Sequence, residues 1–227
     1  MEFVEEQGVS IVANGNFNPA IFQPAWLRAQ GVITPEEEEA AKIDIIHPEI
    51  TRFQVPGLSF DIQTERSVIT ALAEPFIRGA DIFYVTFHEK LGHTPITTVG
   101  LNYSAHVRLN DWKQRNRFGR KLAPIEPWGD YGKLLETADQ MKIGGLSSLS
   151  MRAIRPEYGE EGGLNVTVQP SVRIDGNAGV FFNVNHHMGK GAGDDEPLTV
   201  LLYKRFDDLL LEAREIVETM TTVARSS

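Results

Sequence analysis

The chain contains no cysteine. Disulfides, thiolate catalysis and cysteine-built zinc or iron–sulfur centres are therefore excluded, and a reducing compartment fits. No apolar stretch approaches the ~20 residues that a bilayer-spanning helix needs. The segment Met1 to Gln7 is acidic and lacks the basic and apolar regions of a secretion signal. A cytoplasmic protein with no membrane association is expected. Positive charge is also scarce, with 22 Lys and Arg against 31 Asp and Glu and a net charge of −9. Such a chain repels phosphate at long range, so nucleic acid is disfavoured as its main partner.

Several catalytic signatures are missing too. There is no Gly-x-Ser-x-Gly nucleophile elbow. Gly189-Lys190-Gly191-Ala192-Gly193 is glycine-rich but matches neither a phosphate loop nor a dinucleotide fingerprint, and is expected to be a flexible loop. His88 and His93 flank an acidic residue but stand five apart, so on a helix they would not share a face. His186 and His187 are adjacent on a predicted strand and point to opposite sides, which argues against one shared ion even with Asp194 and Asp195 nearby. Glu36 to Glu39 and Glu160-Glu161 look like solvated turns rather than a tuned acid pair. No catalytic residue, metal site or cofactor is expected.

What is present is order. The 227 residues, 41% of them hydrophobic, can bury a core without cross-links. Each half opens on an apolar strand, Val9 to Val12 and Thr98 to Leu101, and then reaches a Pro-Trp signature at Pro24 to Trp26 and at Pro127-Trp128. Strands follow in both halves, and both close on an amphipathic helix. The expectation is an α+β fold: an antiparallel curved sheet from two pseudo-repeats (strand-helix-strands-helix twice), with long helices on one face. Residues 9–92 and 93–223 would be the repeats of one compact domain, with 1–8 and 224–227 as flexible ends.

Local signals fill this outline. Asn18 before Pro19 reads as a helix cap, and Thr34-Pro35-Glu36-Glu37 as a capping box. Thr51 to Val55 and Leu58 to Gln63 alternate apolar and polar residues around Pro56-Gly57, a hairpin. Phe76, Ala80, Phe83 and Phe87 form a helical stripe, and a helix is predicted from about Asp130 to Met141. The closing helix repeats Leu202, Phe206, Leu209, Ala213, Ile216, Met220 and Val223 in steps of four and three. That pattern fits a helix across a sheet or a coiled-coil seam with another chain.

The second-half strands sort into an apolar and a polar side. The polar side carries Asn102, His106, Asn183, Asn185 and His187, and little Lys or Glu. Neutral hydrogen-bonding groups cost less to bury than charges, so such a face can accept a partner. The candidate binding set is those five residues with Asn16, Trp26 and Trp128, the tryptophans being either core anchors or partner contacts.

Three functions are compatible. The first is a non-catalytic binding or assembly protein acting through the polar sheet face, with a protein partner or a second copy. The second is a small-molecule sensor or enzyme with a site near the loops Asn14 to Asn18 and His186 to Lys190. The third is nucleic-acid binding through Arg108, Lys113, Arg115, Arg117, Arg120 and Lys121, interleaved with Trp112 and Phe118.

Ile96 to Tyr103 and Phe206 to Leu210 resemble parts of a sporadically distributed, uncharacterised bacterial protein family of about this length. The resemblance covers about a tenth of the chain. It implies a bacterial accessory protein and brings no catalytic residues. The repeat order is also similar to that of the TATA-binding-protein-like fold, which bears on topology and not on function.

Overall fold

Segments in which apolar and polar residues alternate can bury one side and wet the other. In the computed structural model, which describes residues 3–137, 145–193 and 196–227, they become nine strands. These are β1 (Val4–Gly15), β2 (Lys42–His47), β3 (Ile50–Val55), β4 (Leu58–Gln63), β5 (Arg66–Ala71), β6 (Ile96–Arg108), β7 (Leu149–Ile154), β8 (Gly163–Pro170) and β9 (Gly179–Met188). They form one antiparallel sheet in the order β2-β3-β4-β5-β1-β6-β9-β8-β7. At its centre β1 and β6 pair, with Val9 opposite Tyr103 and Ile11 opposite Leu101.

Two strands differ from expectation. β1 starts at Val4, because Val4 lies opposite Val107 and Glu6 opposite His106; these residues are paired, not frayed. β5 was not foreseen. Val68 and Ile69 are adjacent apolar residues that blur its alternation, yet Ser67, Ile69 and Ala71 share the buried side. Between β3 and β4 the turn places Gly57 at φ +76°, a conformation glycine adopts at no steric cost.

The helices are α1 (Pro24–Ala29), α2 (Pro35–Glu39), α3 (Ile77–Tyr84), α4 (Trp112–Leu122), α5 (Gly129–Thr137) and α6 (Leu198–Arg225). The end expected for α5 near Met141 lies outside the described residues. Asn18 precedes a short 3-10 turn at Pro19–Ile21 and makes no side-chain cap bond. The capping box of α2 forms as read: Thr34 N–H donates to Glu37 Oε2 at 2.7 Å, and Glu37 N–H to Thr34 Oγ1 at 3.2 Å.

Phe76, Ala80, Phe83 and Phe87 are all buried. α3 ends at Tyr84 and a π-helical turn, Val85–Lys90, carries Phe87 onto Phe17 and Phe22 at ring distances of 5.3 and 5.5 Å. α6 packs across β6 and β9 and against α3. Its buried residues are Thr199, Leu201, Leu202, Phe206, Leu209, Leu210, Ala213, Val217, Thr221 and Ala224. Past Ala213 the buried positions step by four, four and three, the spacing of a straight helix rather than of a 3.5-residue seam. Ile216 and Met220 are only half-buried and Val223 is exposed. Leu202, Phe206, Leu209 and Ala213 of the heptad-like stripe are therefore spent on the protein's own core. The helix also runs on to Arg225, through residues expected to be flexible.

Candidate functional site

The helices pack on the side of the sheet that presents Val9, Ile11, Leu101, Tyr103, Phe182 and Val184, all buried. The opposite side of the adjacent strands β5, β1, β6, β9 and β8 presents Thr70 from β5, Ser10 from β1, Asn102 and Ser104 from β6, Asn183 and Asn185 from β9, and Asn165 and Thr167 from β8. These eight are half-buried, and among the described residues no helix covers them.

Register builds a polar row across this face. Asn102 lies opposite both Ser10 and Asn185, and Asn185 opposite Asn165. Asn185 Nδ2 donates to Asn102 Oδ1 at 2.8 Å, and Asn183 Nδ2 reaches the same oxygen at 3.4 Å. Asn165 Nδ2 donates to Asn185 Oδ1 at 3.3 Å. Ser10 and Thr70 share a hydroxyl contact of 2.9 Å at the other end. The amides therefore satisfy one another and keep free lone pairs and N–H groups toward solvent. Asn102, Asn183 and Asn185 are thus brought together.

The remaining predicted residues are dispersed. His187 shares the face, opposite Gly100, and is half-buried; burial, with Arg152 nearby, lowers its pKa. His186 points the other way and is fully buried among the helices, as strand geometry requires. Asn16 lies in the exposed loop after β1. Trp26 is half-buried against Phe22 at 5.8 Å, whereas Trp128 is 59% exposed beside Tyr131. The two tryptophans do not share one environment.

His106 stands at the far end of the polar face, buried against Phe181. Its Nδ1 is 2.7 Å from Ser171 Oγ. A serine–histidine contact invites a nucleophilic reading. The serine oxygen, however, accepts the backbone N–H groups of Arg173 and Ile174 at 3.1 and 3.3 Å. Its hydroxyl proton is left to donate to His106, whose pKa burial, with Arg173 nearby, lowers. Both lone pairs of Ser171 are engaged in a turn. The pair fastens the turn after β8 to the sheet and offers no free nucleophile. Sequence reading missed it because Ser171 and His106 are 65 positions apart.

The basic segment is divided between elements, with Arg108 on β6 and the other five cations on α4. Arg108 pairs with Glu5 at the end of β6, and Lys121 Nζ lies 3.5 Å from the Ser226 carbonyl. Arg120 is engaged as well. Arg115 turns inward and is buried. Lys113, Arg117, Arg120 and Lys121 are exposed on α4.

The glycine-rich loop is tied down. Gly189 N–H donates to the Tyr158 carbonyl at 2.9 Å, Glu160 N–H donates to the Lys190 carbonyl at 2.8 Å, and Ala192 is buried. A cleft of about 390 Å³ lies beside it, lined by residues including Thr97, Lys190, Glu196 and Leu198. Asn102, Asn183, Asn185 and His187 are not among its walls. Among the described residues no group of three or more His, Asp and Glu could hold a metal ion, and no helix is long and apolar enough to cross a membrane. Asp194 and Asp195 lie outside the described residues.

No protein-family model matches the chain, and no curated protein matches it.

Proposed function

We propose that this is a non-catalytic binding or assembly protein whose uncovered sheet face receives a protein partner or a second copy of itself. The observation that carries the reading is the uncharged row Thr70–Ser10–Asn102–Asn185–Asn165 in a chain of net charge −9. A buried unpaired charge costs several kcal/mol, whereas amides and hydroxyls that already bond one another are far cheaper to cover. An acidic protein can be approached there without desolvating an ion. Ser171 with its lone pairs engaged supports the non-catalytic half of the reading.

The mirror-like strand order about the β1–β6 pair supports descent from a duplicated module, with β2 as the added strand. We take the protein to be a cytoplasmic accessory or scaffold subunit of a bacterial complex, in line with the segment resemblance.

The test is light scattering together with capture of partners from the native host, on the unaltered chain and on Asn102→Lys and Asn185→Lys. Oligomer or partner should be lost in both variants while the circular dichroism spectrum stays unchanged. A strict monomer with no captured partner, or binding indifferent to both charges, would overturn the reading.

A further inference from the structure

The two edges of the sheet, β2 and β7, are built differently. An edge strand presents a row of unpaired N–H and C=O groups that can template pairing with another chain, and folds blunt it with bulges and charges. β2 is blunted. Ile43 lies opposite Phe53 and Ile45 opposite Arg52, so Asp44 is an extra, bulged residue, with Lys42 and His47 at the strand ends. β7 is not. Its register against β8 runs from Leu149 opposite Val168 to Ile154 opposite Gly163 without a shift, and it contains no proline and no acidic residue. Its one charge, Arg152, donates to the Glu161 carbonyl in its own β7–β8 connection.

Leu149, Met151 and Ala153 stand opposite Val168, Val166 and Leu164 and extend the apolar side of the sheet; Ser150 and Arg152 stand opposite Thr167 and Asn165 and extend the polar side. α6 packs on β6 and β9, and α4 on β9. Every β7 residue after the half-buried Leu149 is exposed, Met151 at 69% and Ile154 at 79%. A straight, apolar, unbulged edge of this kind is matched by one more strand, whose main-chain hydrogen bonds supply the affinity.

The strand is complementary to itself. Two copies related by a two-fold axis perpendicular to the sheet pair antiparallel and keep their apolar sides together, so the axis passes through a residue. Axes at Met151 or at Arg152 overlap most of the strand. At Arg152 two guanidiniums would stand directly opposite, which is destabilising. At Met151 the methionine meets its own copy, Leu149 meets Ala153, and Arg152 meets Ser150. Apolar residues then face apolar ones and no charge faces a like charge. The absence of carboxylates on β7 also lets two copies of a chain of net charge −9 meet there.

We propose that β7 is the interface of a two-fold dimer centred on Met151, which joins two nine-stranded sheets into one. The contact lies on the sheet edge and does not depend on the polar face, which both copies leave open on the same side of the joined sheet.

The experiment is sedimentation velocity on the full chain across about 1–100 μM. The unaltered chain should shift from monomer to dimer with concentration. Met151→Lys and Met151→Glu, at a side chain exposed enough to leave the circular dichroism spectrum unchanged, should each weaken the dimer at least ~10-fold by placing like charges opposite each other. An equimolar mixture of the two variants should restore it, because residue 151 meets its own copy only on the two-fold axis. Asn102→Lys and Asn185→Lys, which alter the polar face, should leave the dimer intact. A strict monomer at all concentrations, dimerisation indifferent to both Met151 variants, or a mixture that stays monomeric would overturn the proposal. Open-ended growth would assign the partner of β7 to β2 and overturn it as well, and loss of the dimer in the asparagine variants alone would place the second copy on the polar face instead.

Discussion

Tyr158 and His186, 28 positions apart in sequence, meet in the interior with the hydroxyl 3.0 Å from the imidazole Nδ1. Both side chains are fully buried. The other ring nitrogen, Nε2, lacks a well-aligned partner. Glu212 Oε2 lies 3.9 Å from Nδ1, and Arg155 and Arg205 stand nearby as opposing charges. Desolvation prevails over the attraction of Glu212 and lowers the His186 pKa to about 4. The histidine is therefore kept neutral.

This predicts a pH dependence with a definite sign. The folded pKa lies below the unfolded value of 6.5, so the unfolded chain takes up the proton first. Stability is complete above pH 6.5 and falls between 6.5 and about 4, by about 3 kcal/mol from this one group. His106 and His187 shift in the same direction. Urea unfolding at pH 7.5, 5.5 and 4.5 measures the slope, and His186→Asn should flatten it whatever its absolute stability. A slope unchanged by that substitution would show that the charge is accommodated inside the fold.

Glu37 serves two elements at once. It closes the capping box of α2, and its carboxylate accepts from Arg78 Nη2 of α3 at 3.1 and 3.3 Å. The same Arg78 nitrogen reaches the Val32 carbonyl at 3.3 Å. Thr34→Ala should cost ~1 kcal/mol, the usual value of a lost cap. Glu37→Ala should cost more, about 1.5–2 kcal/mol, because a partly exposed ion pair is lost too. A Glu37/Arg78 double-mutant cycle in urea should return a coupling below about 1 kcal/mol.

Legibility in the sequence followed the range of the signal. Period-2 alternation located β3, β4, β8 and β9, and a four-residue motif located the start of α2, because each is written in contiguous residues. β5 escaped because Ser67 and Ala71 are too small to mark its buried side. The amide row was half legible: alternation put Asn102, Asn183 and Asn185 on one side, but only register brings their side chains together. Ser171 with His106, Tyr158 with His186, and the inward turn of Arg115 were not legible. Each depends on which distant element arrives opposite, and no local pattern encodes that.

Gly159 follows the short turn Pro156–Tyr158 at φ +79°. A Cβ there would stand 2.3 Å from the Lys190 carbonyl oxygen and 2.6 Å from the Ala192 nitrogen, both backbone atoms. The left-handed conformation alone costs ~1–2 kcal/mol for an L-residue, and the backbone clash adds to it. Gly159→Ala should therefore destabilise by more than 2 kcal/mol and release the segment 189–193. Hydrogen exchange should show faster exchange at Gly189 and Glu160, whose N–H groups bond across this contact. Gly191→Ala is the control, since it has positive φ but open space around its Cα; it should show the conformational cost alone.

α6 offers the clearest choice between packing on the chain's own sheet and pairing with another chain. Ala213 is fully buried where α6 crosses the sheet, and its small size sets how closely the helix approaches. Ala213→Leu inserts methylenes into a packed core and should cost ~1–3 kcal/mol. Val223 holds the last position of the heptad-like pattern but is 37% exposed, and Leu211 is 57% exposed. Val223→Glu and Leu211→Glu should each change stability by no more than ~0.5 kcal/mol. Neither should alter the sedimentation coefficient, because no seam is being broken. Dissociation caused by Val223→Glu, with Ala213→Leu tolerated, would instead place the buried stripe of α6 between chains.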